Sequence, residues 1–128
     1  MIFSTQKELT GAIIACAIEV HRELGPGLIE SVYQACIQEE LRMNDIHFIE
    51  QLRVPIQYKG KKLDKEFVID LLVENQVVIE LKAVEIIMPV HEVQLVTYLK
   101  LADKKIGLLI NFNVPVLKEG IRRRVNNL

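Results

Sequence analysis

The apolar positions of the chain follow two rhythms. From about Thr10 to Leu24, the residues Ile13, Ile14, Ala17, Ile18, His21 and Leu24 recur at helical spacing, and Gly25 supplies a stop. The GPG at 25–27 restarts the chain into LIESVYQACIQEELRMN. There Val32, Cys36 and Leu41 mark the core-facing stripe of a second helix that ends near Asn44. Beyond it the pattern predicts strands over roughly Phe48 to Tyr58, Leu63 to Val73 and Val77 to Val84, split by the turn signals YKGKK and ENQ. Pro89 opens a third helix at its favoured first-turn position, running to about Ala102, and IGLLINF reads as a fourth, buried strand. The order is α-α-β-β-β-α-β, closing in an amphipathic or irregular segment around Leu117 to Val125.

One strand breaks the pattern. In VVIELKAV, residues 77–84, Glu80 and Lys82 share a face with Val78 and Val84, and burying unpaired charge costs several kcal/mol. If the ENQ loop has three residues, Val73 faces Val77 and Asp70 falls directly opposite Glu80. A two-residue loop would put the two acids on opposite faces. Asn75 tolerates the left-handed backbone that such loops need, which favours the three-residue register. Two ionised carboxylates about 5 Å apart at an effective dielectric near 20 repel by about 3 kcal/mol. Either Lys82 or a hard divalent cation has to sit with them, so the pattern fits a metal site or a half-exposed salt-bridge cluster of Asp70, Glu80 and Lys82.

Composition narrows the setting. A chain of 128 residues, half hydrophobic and a quarter charged, fits one domain over 1–128 without linker or repeat. The run GAIIACAIEV is broken by Glu19 and is too short for a bilayer core of about 30 Å. Its upstream flank lacks a secretory pattern, so a cytoplasmic protein with no membrane partner is expected. Cys16 and Cys36 read as reduced core thiols, and no zinc spacing exists. Net charge is −1, which argues against clinging to nucleic acid by charge alone. Basic clusters at Lys59, Lys61, Lys62 and Lys65 and at Arg122, Arg123 and Arg124 are either solvated turn and tail charges or phosphate contacts. The GPG turn fits no nucleotide-loop pattern and no strand precedes it, so it serves as punctuation.

Asp70 followed by Glu80, Leu81 and Lys82 spells the D...ExK signature of the PD-(D/E)XK nuclease-like superfamily. Gly27, Glu30 and Tyr33 spell GxxExxY. With IELKAV, PVHEVQLVTYLKL and GLLINF, the chain over about 9–125 resembles the GxxExxY protein family, a small bacterial and archaeal branch of that superfamily. The resemblance implies an α/β, restriction-endonuclease-like core: a four-stranded mixed sheet flanked by helices. It implies Mg2+, with Mn2+ as a substitute, held by Asp70, Glu80, the Leu81 carbonyl and, directly or through water, Glu30. Lys82 then matches the lysine that orients the attacking water, and Gln94 with Tyr98 matches a QxxxY pattern beside the site. Ile69 stands where the motif name has proline.

Plainer readings stand beside these roles. Glu30 is also an ordinary first-turn acid favoured by the helix dipole, and Tyr33 either packs with a satisfied hydroxyl or bonds that carboxylate. Gln94 and Tyr98 also form a simple i,i+4 pair. His91 lies on their face and either assists a proton or phosphate or caps its helix, whereas His21 and His47 read as structural. The function expected is a Mg2+-dependent nuclease acting on DNA or RNA. The alternatives are a catalytically silent module of the same fold and a protein acting on small phosphorylated molecules. Sequence-specific cutting by so small a domain would need a homodimer or a protein partner.

Overall fold

Thr5 starts the first helix by accepting the Glu8 N–H at its hydroxyl (3.1 Å), while the Glu8 carboxylate accepts the Ser4 N–H (2.9 Å). The structure, a computed structural model, describes residues 3–127. Its elements are α1 (Gln6–Leu24), α2 (Glu30–Met43), β1 (Phe48–Tyr58), β2 (Lys61–Val73), β3 (Val77–Lys82), α3 (Pro89–Ala102), β4 (Ile106–Asn111) and β5 (Ile121–Val125), with a 3-10 turn at Leu117–Gly120. Several of their limits have local causes. Lys59 and Gly60 take left-handed backbone at the β1–β2 tip, and Pro89 occupies the first turn of α3, where its missing N–H has no partner to lose.

The strands form one mixed sheet in the order β1-β2-β3-β4-β5, antiparallel except for the β3–β4 pair. Helices cover both faces. On one side α1 and α2 bury Leu9, Ile13, Tyr33, Ile37 and Leu41 against Leu71, Val77, Ile79, Leu81, Leu108 and Ile110. On the other, Leu95 and Leu99 of α3 pack on Ile69, Leu72, Val78 and Leu109. The parallel pair needs the α3 crossover between β3 and β4, and this places α3 directly over the Glu80 face.

Two expectations need correction. The sheet has five strands, not four, because IRRRV pairs antiparallel with β4 from Ile110↔Ile121 to Ile106↔Val125. A five-residue edge strand with three arginines carries too little apolar alternation to read as a strand. It is held by its register with β4 and by ion pairs from Arg122 (3.6 Å) and Arg124 to Glu92 of α3. The α2 stripe is also rotated by one residue: Tyr33, Ile37 and Leu41 are buried, whereas Val32 is exposed and Cys36 only half-buried. Both cysteines are free thiols, as expected.

The return into β5 leaves no room at Gly120. A Cβ there would lie 2.2 Å from the Asn111 carbonyl oxygen and 3.1 Å from Val114 Cγ2. Gly120→Ala should therefore destabilise by about 1–3 kcal/mol or more, since backbone must move. Gly11, exposed in mid-α1 with nothing within 4 Å of its missing Cβ, should gain about 0.5–1 kcal/mol as Gly11→Ala. Urea unfolding of the two variants checks the opposite signs.

Candidate active site

The β2–β3 hairpin sets the register on which the site depends. Glu74 and Asn75 are both left-handed, and the Gln76 N–H donates to the Val73 carbonyl (2.9 Å). The ladder then runs Val73↔Val77, Leu72↔Val78, Leu71↔Ile79, so the next position in register sets Asp70 against Glu80. There side chains take over from the backbone. The Asp70 N–H donates to Glu80 Oε1 (3.4 Å), and the Leu81 N–H donates to Asp70 Oδ2 (2.8 Å). Each carboxylate thus occupies a hydrogen bond that a carbonyl of the facing strand would otherwise make.

The exchange has a cause in the neighbouring strands. Ile69 and Leu72 both pack on the α3 side while Leu71 and Val73 pack on the other, so alternation fails at Asp70. Opposite it in β1, between the pairs Glu50↔Leu71 and Leu52↔Ile69, Gln51 takes left-handed backbone (φ 48°). Irregularities of this kind re-aim a side chain without ending the sheet. The Asp70 carbonyl accepts instead from Gln34 of α2 (3.3 Å). Gln34 sits in a polar chain: its Oε1 accepts from Gln51 (3.0 Å), its amide also donates to Gln38 (3.0 Å), and Gln38 donates to Glu50 (2.7 Å).

Glu80 is only 6 % exposed, and its pKa is pushed up to about 8. Burial is the main cause. The Asp70 charge and a side-chain hydrogen bond with Asp70 add to it, and the Asp70 N–H and the Lys82 ammonium oppose it. Burial and the neighbouring Asp70 charge therefore favour the neutral form of Glu80. Lys82, half-buried and two residues along the same face, supplies positive charge that offsets only part of the rise at Glu80. Across from them Tyr98 of α3 stacks on Phe67 (centroids 4.4 Å apart, 25° between planes). Burial, then Glu80, then Asp70 raise its pKa, which keeps the phenol a neutral donor beside the acids.

Residues 7–124 match the family profile of the PD-(D/E)XK nuclease superfamily. The chain belongs to that superfamily. Its match runs from α1 into β5, and no curated protein and no solved structure matched the chain in the other two comparisons. No helix among the described residues is long and apolar enough to cross a membrane.

For this PD-(D/E)XK chain the remaining candidates sort by position. Leu81 sits between Glu80 and Lys82, its N–H on Asp70 and its side chain in the α1–α2 core. Glu30 is the exposed first residue of α2, one turn before Gln34 on the stripe that reaches Asp70. It completes no cage with the strand acids, because among the described residues no three His, Cys, Asp or Glu side chains gather as metal ligands do. Gln94 is exposed one turn before Tyr98. His91 is used as a cap, its Nδ1 accepting the Met88 N–H (3.0 Å). Tyr33 is fully buried, stacked on Phe112 (4.4 Å), its hydroxyl donating to the Gly25 carbonyl (2.6 Å) and accepting from the Leu28 N–H (3.2 Å). The tyrosine of GxxExxY therefore shapes the turn into α2 and does not reach Glu30. His21 bonds the Val114 carbonyl (2.8 Å), a structural use.

Sequence reasoning missed Gln34, Gln51, Phe67 and Asn111. Buried Asn111 ends β4 opposite Lys82, donating to the Val84 carbonyl (2.8 Å) and accepting its N–H (3.0 Å), which fixes the chain just past the lysine. Only Gln34 carried a sequence signal, its i+4 spacing from Glu30.

The raised pKa of Glu80 has a measurable sign. Between the ordinary value of 4.5 and about 8, folded protein keeps a proton on Glu80 that unfolded chain has lost. This contribution to stability is fully present below pH 4.5, declines by up to about 1.4 kcal/mol per pH unit, and is gone above pH 8. Glu80→Gln should flatten that decline. Urea unfolding in chelator at about pH 5, 6, 7 and 8 measures it, and parallel slopes for the two proteins would contradict the raised Glu80 pKa.

Proposed function

We propose that this domain is a Mg2+-dependent nuclease of the GxxExxY branch, hydrolysing phosphodiester bonds in nucleic acid. The observation that carries the reading is the pairing of Asp70 and Glu80 across β2 and β3, each carboxylate bonded to the other strand's backbone, with Lys82 on the same face. The donor set suits the ion: Mg2+ is commonly held by one or two carboxylates, with water and substrate phosphate completing the shell. Asp70, Glu80 and the Leu81 carbonyl would hold it, leaving Glu30 to act through water from the start of α2. When bound, such a cation would stabilise charge on a phosphoryl oxygen and make a water more acidic.

The protein's own groups then divide the work. Lys82 orients the attacking water and offsets charge growing on the phosphate. Tyr98, kept neutral, donates a hydrogen bond toward the same region from the α3 side. Gln94 offers its exposed amide to the substrate backbone one turn away. The second reading is a catalytically silent module, favoured by the lack of a three-acid cage among the described residues.

Mg2+ or Mn2+ should raise the melting temperature, with a stabilisation of about 2.7 kcal/mol when the free ion exceeds its Kd a hundredfold. Lys82→Ala should cut cleavage by about 100-fold or more and keep the metal shift, whereas Asp70→Asn should lose both. Wild type that cuts neither single- nor double-stranded DNA or RNA in Mn2+ would leave the module reading in its place.

A further inference from the structure

The outer half of the β1–β2 hairpin stands away from the body of the protein. Past the pair Val54↔Phe67, every residue of β2 from Lys61 to Glu66 is exposed, and in β1 only Ile56 is half-buried. A two-stranded ribbon packed on neither face is marginal in water, so its length calls for a role other than stability. Its base is firm: Leu52, Val54 and Phe67 pack on the α3 side, where Phe67 stacks on Tyr98. Between Pro55↔Glu66 and Gln57↔Lys62, one residue of β1 faces three of β2. This bulge bends the ribbon over a shallow cleft of about 550 Å³ lined by Pro55 and residues 62–66.

Its charge is opposite to that of the chain as a whole. Lys59, Lys61, Lys62 and Lys65 lie within seven residues of a protein whose net charge is −1. Of the acids beside them, Glu66 is neutralised by Arg53 (2.8 Å), which leaves Asp64. The other basic cluster is spent differently, since Arg122 and Arg124 are tied to Glu92.

We infer that this ribbon is an arm that grips duplex DNA, its lysines on the phosphates. A two-stranded ribbon fits the B-form major groove, about 12 Å wide, while the deep, narrow groove of A-form RNA excludes it. Single strands are held by rows of stacking aromatics, and the ribbon has only Tyr58, already beneath Lys59 (5.5 Å). In the unbulged strand, Gln51 opposite Asp70 and Tyr58 at the tip are about seven residues apart, so at ~3.3 Å per residue the tip reaches ~23 Å from the acidic pair. At ~3.4 Å per base pair that is roughly seven pairs of duplex. The position of the arm relative to the cut rests on the nuclease reading, and its grip on DNA does not.

The test is fluorescence anisotropy with a labelled duplex of about 25 base pairs in chelator, from about 50 to 200 mM salt, comparing wild type with the triple variant Lys59→Gln, Lys61→Gln, Lys62→Gln. The log–log salt slope should become shallower by about 3 and the low-salt affinity should fall about 10–100-fold, with Lys61→Gln alone taking about 1 from the slope. The Mn2+ shift in melting temperature should persist, as all three positions are exposed and remote from the acids. An unchanged slope, wild type that binds no duplex, equal lysine-dependent binding of duplex RNA, or a wild-type dimer that the triple variant loses would each overturn the arm. Lysine-dependent binding without cleavage in Mn2+ keeps the arm and removes the nuclease. Undiminished binding and cleavage by the triple variant does the reverse.

Discussion

Two like charges forced together across adjacent strands govern this molecule. Asp70 and Glu80 face each other because a three-residue turn fixes the β2–β3 register, and a one-residue slip would send them to opposite faces. Once opposed, they repel, and the fold answers locally. Each carboxylate takes a backbone N–H from the other strand, the Glu80 pKa rises, and an ammonium stands two residues away. Such an arrangement ties the protonation of Glu80 to the stability of the fold.

Everything around the pair keeps it from relaxing. Gln34 and Gln51 hold the irregular stretch of β1 and β2 from the α2 side. Asn111 fixes the chain beyond Lys82, and the Phe67–Tyr98 stack closes the α3 side. The supports come from both helical layers and from β4, so the strain at the acids is spread through the tertiary structure and does not rest on one turn. Preorganisation of this sort lets a site hold charge without rearranging when a ligand arrives.

Most of this was legible in sequence where the signal is local. Helix and strand limits came from period and punctuation, and β1 and α3 lie over the residues expected. The ENQ loop was enough to pair the acids from sequence alone. The features that escaped reading depend on distant partners. The strand Ile121–Val125 exists because β4 offers it an edge, and nothing in IRRRV announces that. The α2 stripe was misplaced by one residue because Val32 and Tyr33 are both apolar by type. Only the pocket beneath Gly25 and beside Phe112 decides which of them turns inward. The glutamine chain was invisible for the same reason: amides at 34, 38 and 51 have no periodicity, and their partners lie across two layers.

The two rims of the sheet have a consequence of their own. An open strand edge invites other chains to add to it, and both edges here are ill suited to that. On β1, Pro55 offers no donor, the backbone at Gln51 twists away, and the bulge at Pro55 bends the outer ribbon out of line with the rest of the strand. On β5, three successive arginines would meet their own kind if a second copy of the strand tried to pair. A five-stranded sheet with rims of this kind can thus carry a long naked hairpin while offering other strands little to pair with.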